Sequence, residues 1–204
     1  MIKKMEELVQ EIRPSFEAIK WEDPKEYANW LSQAYFIARR STSFLGLCLF
    51  HSEKYPEFQA RCADHIAEET GHEKLLLNDI KVLNQELHKE MPSTMAFYQP
   101  QYFRIVAENP LSFLGYVFFL ELLGPTFGDY LMERAAKADK RSLSFLKVHT
   151  HADEHHLESA MQVVLALPEK YQADMWTNFY MSRDSYRHML DCMASMKQHH
   201  KKTA

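Results

Sequence analysis

The sequence predicts an all-α protein, folded as a bundle of seven helices, and three observations support this fold class. Only five of the 204 residues are glycine, and the apolar share is 46%. Leu, Met, Glu, Lys and Ala fill long stretches, and these residues favour helices over strands. Prolines follow helix-capping residues at Asp23-Pro24 and at Asn109-Pro110, as in the first turn of a helix.

The predicted helices follow in order from these boundary signals. The first begins as a charged amphipathic segment, and the second begins at Pro24. Most later helices begin at or beside a proline, and the sixth ends before Pro168. The expected bounds are about 2–19, 24–51, 55–89, 93–107, 110–136, 141–166 and 168–197. Together they predict one domain over 1–204, with a disordered tail at about 198–204.

Charge and cysteine usage favour a cytoplasmic protein that does not bind nucleic acid. The formal net charge is -4, and Lys and Arg are spread along the chain without a basic stripe for a phosphate backbone. Cys48, Cys62 and Cys192 are an odd number in no CxxC arrangement, which predicts a reducing compartment. The N-terminal segment lacks the apolar core of a secretory signal.

One apolar run, at 109–129, is long enough to resemble a membrane span. Glu121 lies in its middle, and Gly124, Pro125 and Gly128 interrupt its end. The sequence therefore predicts a core helix surrounded by other helices, and no membrane association.

Histidine and acidic residues are concentrated in two segments, HIAEETGHE at 65–73 and HTHADEHHLE at 149–158. In the second, His149, Asp153 and His156 are spaced i, i+4, i+7, so on a helix they fall within roughly 60° of one another. The first segment repeats that spacing, and its Glu69 and His72 form the Glu-x-x-His pair used by dimetal sites in helical bundles. Both segments predict metal ligands on one helix face.

Glu121 is the third component, because it is the single charged residue of the apolar run between Pro110 and Gly128. An uncompensated buried carboxylate is costly, and a divalent cation would compensate it. Imidazole and carboxylate ligands together suit iron, manganese or zinc. The predicted ligand set is Glu69, His72, Glu121, His149, Asp153 and His156. His65 shares the face of the first segment and is either a seventh ligand or a group that orients one.

This pattern resembles a known family, the heme-oxygenase-like diiron oxidases and oxygenases. Its members share a seven-helix fold with heme oxygenases and TenA-like proteins. Their pattern is a carboxylate followed by His on one core helix, a Glu on a later helix, and His-x3-Asp-x2-His on another. In this sequence it corresponds to Glu69 and His72, Glu121, and His149, Asp153 and His156.

The resemblance implies a non-heme diiron enzyme that uses O2 to oxidise a small organic substrate. It implies two Fe ions, alternating between Fe2+ and Fe3+, with Mn or Zn as alternative occupants and an external electron donor as one option. Heme is not expected, because the first histidine is His51 and no glycine-rich distal helix is present. The sequence leaves the oligomeric state open, and a homodimer is one of the alternatives.

The sequence departs from the family pattern in two places. Some members add a carboxylate from the first core helix, whereas residues 27–50 contain no Asp or Glu. Where members place the carboxylate seven residues before the His, this chain has His65, so either Glu69 takes that role or His65 replaces the carboxylate. A ferritin-like four-helix bundle is the alternative fold, although His149 and Asp153 do not match its Glu-x-x-His pattern.

Two further hypotheses concern the surroundings of the site. Apolar side chains around Glu121 are candidates for lining a substrate cavity, with plain core packing as the alternative: Phe113, Tyr116, Val117, Leu120 and Phe127. Tyr35 is either a redox-active phenol near the metals or a packed core residue. The rival functions are a non-catalytic binding protein of the same fold and a metal-free oxidase that uses the histidines as acid–base groups.

Overall fold

The computed structural model of the protein describes residues 1–150 and 154–200, without the side chains of residues 154–156, 158–159 and 196–200. It confirms the all-α prediction, since the described ranges contain helices and no strand. A π-helical turn at Arg104–Glu108 and a 3-10 turn at Pro110–Ser112 connect the helix Pro92–Phe103 to the helix Phe113–Ala135. The helices are α1 (Ile2–Gln10), α2 (Arg13–Glu17), α3 (Pro24–Ala38), α4 (Ser41–His51), α5 (Pro56–Glu69), α6 (His72–Val82), α7 (Pro92–Phe103), α8 (Phe113–Ala135), α9 (Ser144–Thr150), α10 (Glu154–Ala166) and α11 (Glu169–His200).

Both predicted capping residues begin helical segments. The Asp23 carboxylate accepts a hydrogen bond from the Lys25 amide at 2.9 Å, with Pro24 in the first turn of α3. The Asn109 side-chain oxygen accepts one from the Leu111 amide at 3.0 Å. Each side chain satisfies an amide that has no partner within its own helix, which is why helices begin here.

Three predicted helices are each divided into two shorter helices in the structure. The helix expected at 2–19 is α1 and α2, because Pro14 in the first turn of α2 has no amide hydrogen with which to continue α1. The helix expected at 24–51 is α3 and α4. Hydroxyl side chains in the first turn of α4 compete for backbone hydrogen bonds and favour a new helix start over a helix interior.

The helix expected at 55–89 is α5 and α6, and it ends early. Gly71 has a φ of 100°, a left-handed conformation that breaks the helix, and Asn84 after α6 has a φ of 53°. The extended segment that follows is held by buried polar groups of α3. Gln33 accepts a hydrogen bond from the Met91 amide at 3.0 Å and donates one to the Lys89 carbonyl at 3.1 Å. These bonds replace those of a continued helix.

At the other end of the chain, the disordered tail at about 198–204 stays a prediction. α11 continues to His200, because no glycine or proline interrupts the helix-forming residues after Glu169. The remaining residues of the tail, 201–204, lie outside the described part of the chain.

α8 is the central helix of the core. It packs against α1, α9, α10 and α11, and most of its side chains are buried. Gly115 permits the approach of α11, because a Cβ at this position would overlap the Met175 carbonyl oxygen. α8 therefore holds Glu121 at a fixed place among its neighbours.

The same helix accounts for the apolar run in the sequence. Within the described residues, Pro110–Ala135 is the one stretch long and apolar enough to cross a membrane, and 67% of its most apolar part is buried by other helices. Coverage by other helices is typical of a core helix and accounts for the apolar composition without a membrane.

Candidate metal centre

Three side chains from α5 and α8 converge at the centre of the bundle. His65 Nε2 lies 3.3 Å from Glu121 Oε1 and 3.6 Å from Glu69 Oε1. The side chains are nearly buried, with 6% of His65, 15% of Glu69 and 11% of Glu121 exposed. Their ligand atoms all lie within 4.8 Å of one another, a spacing at which one metal ion could contact all three.

His72 approaches the same cluster from a different helix than the sequence predicts. Glu69 is the last residue of α5, Gly71 bends the chain, and His72 is the first residue of α6. The expectation that Glu69 and His72 share one helix is therefore wrong. The bend nevertheless brings His72 Nδ1 to 3.6 Å from Glu69 Oε1. The pair is assembled by a helix break rather than by helical spacing.

His149 reaches the cluster from α9. Its ring lies edge-on to that of His72, with the centroids 4.9 Å apart, and packs on Phe145 at 4.2 Å. α9 can come this close to α8 only because Gly124 has no side chain, since a Cβ there would overlap the His149 carbonyl oxygen. Gly128, one turn further on, faces Thr150 in the same way. The two glycines thus let the end of α9 approach α8 about one turn after Glu121.

A buried carboxylate that the sequence analysis did not identify anchors α9. Asp79 on α6 is fully buried and accepts hydrogen bonds from the Ser144 amide at 3.2 Å, the Ser144 hydroxyl at 2.5 Å and the Phe145 amide at 3.0 Å. It caps the helix N-terminus from a neighbouring helix. The available signal was helical spacing, because Asp79 lies three residues after Leu76 and four before Leu83, on the apolar face of α6.

The other two predicted ligands belong to the segment between α9 and α10 and to the start of α10. Asp153 lies outside the described residues, and the side chain of His156 is among those not described. The backbone of α10, which carries His156, packs against both α5 and α8. The helix therefore lies beside the two elements that supply His65, Glu69 and Glu121.

The cluster is strongly coupled by charge. Burial lowers the pKa of His65, but hydrogen bonding to Glu121 and Glu69 outweighs it and raises the pKa to about 9. Burial raises the pKa of Glu69, but His65 and His72 outweigh it and hold the pKa well below its usual range. The Glu69 carboxylate also raises the pKa of His72. Without a metal, the histidines are thus the countercharges of the carboxylates.

Arg61 defines which face of His65 points to the cluster. Its guanidinium nitrogen lies 3.3 Å from His65 Nδ1. A guanidinium group can only donate a hydrogen bond, so Nδ1 accepts it when His65 is neutral, and the charge of Arg61 opposes protonation of the ring. Nε2 faces the two carboxylates. Burial lowers the pKa of Arg61.

An apolar cavity of about 130 Å³ adjoins the cluster. Four of the five predicted lining residues do line it, and Phe127 does not, because its ring packs 4.4 Å from that of Phe16 in the core. Tyr35 is not among the lining residues; its ring lies against Phe36 and Arg39. Among the residues that line the cavity are His65, Glu69, Phe113, Tyr116, Val117, Leu120, Glu121 and His149.

The donor set fits a metal ion. Imidazole and carboxylate groups suit iron, manganese or zinc, and two nearly buried carboxylates favour a cation between them. His72 Nδ1 is buried and has no hydrogen-bond partner within the described part of the chain. A bound ion would satisfy this nitrogen and the carboxylates together.

Comparisons with known proteins point the same way. A family model described as "Iron-containing redox enzyme" matches residues 28–187. A crystal structure of a domain of unknown function with a heme oxygenase-like fold, from Shewanella denitrificans OS217, superposes with a TM-score of 0.81. The match covers 100% of this chain and 93% of that chain, at 18% sequence identity, and it shows the fold. No curated protein matches the sequence significantly.

Proposed function

We propose that this chain, which belongs to the family of iron-containing redox enzymes, binds two iron ions at the cluster and uses O2 to oxidise a small organic substrate. The observation that carries the proposal is the convergence of His65, Glu69 and Glu121 within 4.8 Å beside an apolar cavity. This arrangement combines metal ligands with a space for a substrate.

The proposed ligands come from at least three helices and the α5–α6 junction. Glu69 and Glu121 are the two carboxylates that contact His65 at the centre of the cluster, and they would hold the iron ions. His72 and His149, whose rings are in contact, serve as imidazole ligands on one side. We assign the remaining positions to Asp153 and His156, as the ligand pattern implies. Bound ferrous iron would supply the electrons that activate O2.

His65 lies where it could either coordinate iron or donate a hydrogen bond to the two carboxylates. Its Nε2 is within reach of both carboxylates, while Arg61 holds Nδ1. In the iron-free protein, His65 neutralises Glu121 and Glu69, and it would lose its proton if Nε2 coordinates iron. The low exposure of these side chains keeps bulk water away from the cluster.

The test is anaerobic reconstitution of the untagged protein with ferrous iron, followed by an iron count and an optical spectrum on adding O2. We expect about two irons per chain and an O2-dependent visible band. Glu121→Ala should lose iron and the band. Glu133→Ala is the matched control, because Glu133 lies on the same helix but is exposed, and it should behave as wild type.

Each outcome separates the proposal from its rivals. Iron that binds without reacting with O2 would favour a non-catalytic member of the family. If the protein binds stoichiometric manganese or zinc and no iron, the assignment of iron is wrong. A wild-type protein that binds no metal would contradict the proposal and favour acid–base chemistry by the histidines.

A further inference from the structure

Tyr116 lies at the wall of the cavity and carries a buried hydroxyl group. Its side chain is almost fully buried in α8, and its oxygen has no hydrogen-bond partner within the described part of the chain. Buried hydroxyls are usually hydrogen-bonded, and a bond from a ligand would remove the cost of leaving this one unmade. Because Tyr116 lines the cavity, the missing partner is expected there.

Aromatic neighbours hold the Tyr116 ring in place. The Tyr116 ring lies 5.1 Å from that of Phe97, 5.2 Å from Phe113 and 6.1 Å from Phe44, between centroids. Such packing restricts reorientation of the ring. Burial raises the pKa of Tyr116 well above its ordinary value, and the charge of Glu69 adds to the effect, so the hydroxyl stays neutral and can donate.

The rest of the cavity wall sets the size and polarity of a ligand. Its volume of about 130 Å³ is close to the roughly 150 Å³ of an apolar cavity known to hold benzene. Ile37, Leu45, Val117 and Leu120 give it an apolar surface, and no Lys or Arg is among the described lining residues. The cationic His65 is already paired with Glu69 and Glu121, so a substrate carboxylate or phosphate would meet two carboxylates and no unpaired Lys or Arg on these walls.

We infer that the cavity binds a neutral, largely apolar molecule of about benzene size, which accepts one hydrogen bond from the Tyr116 hydroxyl. This inference rests on the proposed function, because it names the substrate class of the same site. Leu120 and Val117 lie beside and one turn before Glu121, so such a molecule would lie next to the metal ligands.

The test compares phenol with toluene, which has the same shape without the hydrogen-bonding group, by calorimetric titration of the full chain with and without iron. We expect both to bind to the wild type, and benzoate not to bind to the iron-free chain. In Tyr116→Phe, toluene affinity should be unchanged, while the ratio of phenol to toluene affinity should fall roughly five-fold, the effect of one hydrogen bond. Tyr98→Phe is the matched control and should keep the wild-type ratio, because the Tyr98 hydroxyl donates to Glu90 instead.

The alternatives give different results. If neither phenol nor toluene binds to the wild type, the cavity is not a ligand site and the inference is wrong. If the ratio of phenol to toluene affinity is unchanged in Tyr116→Phe, the hydroxyl does not bind the ligand. It would then be hydrogen-bonded to a buried water. The iron count on the same samples reports on the proposed function separately, since probe binding to the iron-free chain requires no metal.

Discussion

The two sides of the candidate metal centre are built in opposite ways. On one side, α8 runs without a break from Phe113 to Ala135, even through Pro125, and holds Glu121 in a helix packed against four others. On the other, the chain breaks between Glu69 and His72, and a left-handed glycine joins two helices. One side is positioned by close packing and the other by a bend. Substitutions that disturb packing should therefore affect the first side more than the second.

The largest effect is expected at Gly124, on the packed side. In Gly124→Ala the new Cβ would overlap the His149 carbonyl, so α9 must move away from α8. We expect a loss of about 3 kcal/mol or more in the free energy of unfolding, at the upper end for overpacked cores. Urea denaturation measures it. Iron affinity should also fall, because His149 moves with α9.

Gly46→Ala is the matched control for this substitution. Gly46 also lies within a helix, α4, but nothing surrounds the position where its Cβ would stand. Alanine should be neutral or stabilise by about 0.5–1 kcal/mol. A similar loss in both variants would show that contact with α9 is not what makes Gly124 necessary.

The next effect concerns charge in the cluster and is seen in the iron-free protein. The pKa of His65 is raised from 6.5 to about 9, so its contribution to stability is complete below pH 6.5 and is lost as the pH rises through 9. At about 1.36 kcal/mol per pKa unit, this contribution is about 3 kcal/mol or less. Glu69, whose pKa is lowered, contributes in the opposite sense, at pH values above its ordinary pKa.

Urea denaturation of the iron-free wild type and His65→Gln at pH 6, 8 and 10 would measure this contribution. The wild type should lose its advantage over the variant between pH 8 and 10. If the difference between them were constant across this range, the ion pairs with Glu121 and Glu69 would not stabilise the fold.

A smaller effect is expected at Asp79, which joins α6 to α9. Asp79→Ala would leave the Ser144 and Phe145 amides without their partner, at a cost of about 2 kcal/mol. Asp79→Asn keeps one acceptor oxygen and should cost less. Asp191→Ala, at an exposed position of α11, serves as the control in the same denaturation experiment. Equal stability of all three variants would mean that α9 does not depend on this cap.

The same contrast explains what could be predicted from the sequence. Glu121 was predicted because a lone charge in an apolar helix needs a partner whatever the fold around it. The partnership of His65 with Glu121 was not, because the two residues are 56 positions apart and meet only through the packing of α5 on α8.

The break at Gly71 was missed for a related reason. A single glycine within a helical pattern is often tolerated, and the apolar spacing continues on both sides of this one. Only the three-dimensional structure shows its left-handed conformation. Sequence spacing thus predicted which residues meet in the first segment, but not that a bend brings them together.

The smallest effect is expected at Gly71 itself, on the bent side. No atom surrounds the position where a Cβ would stand, so Gly71→Ala meets only the strain of its φ of 100°. That strain costs about 1 kcal/mol, and Gly71→Asn should cost less, because asparagine tolerates left-handed conformations better. Urea denaturation of the two variants beside Gly124→Ala gives the order directly. If Gly71→Ala were as destabilising as Gly124→Ala, the bend would be as tightly constrained as the packed helix, and the proposed contrast between the two sides would be wrong.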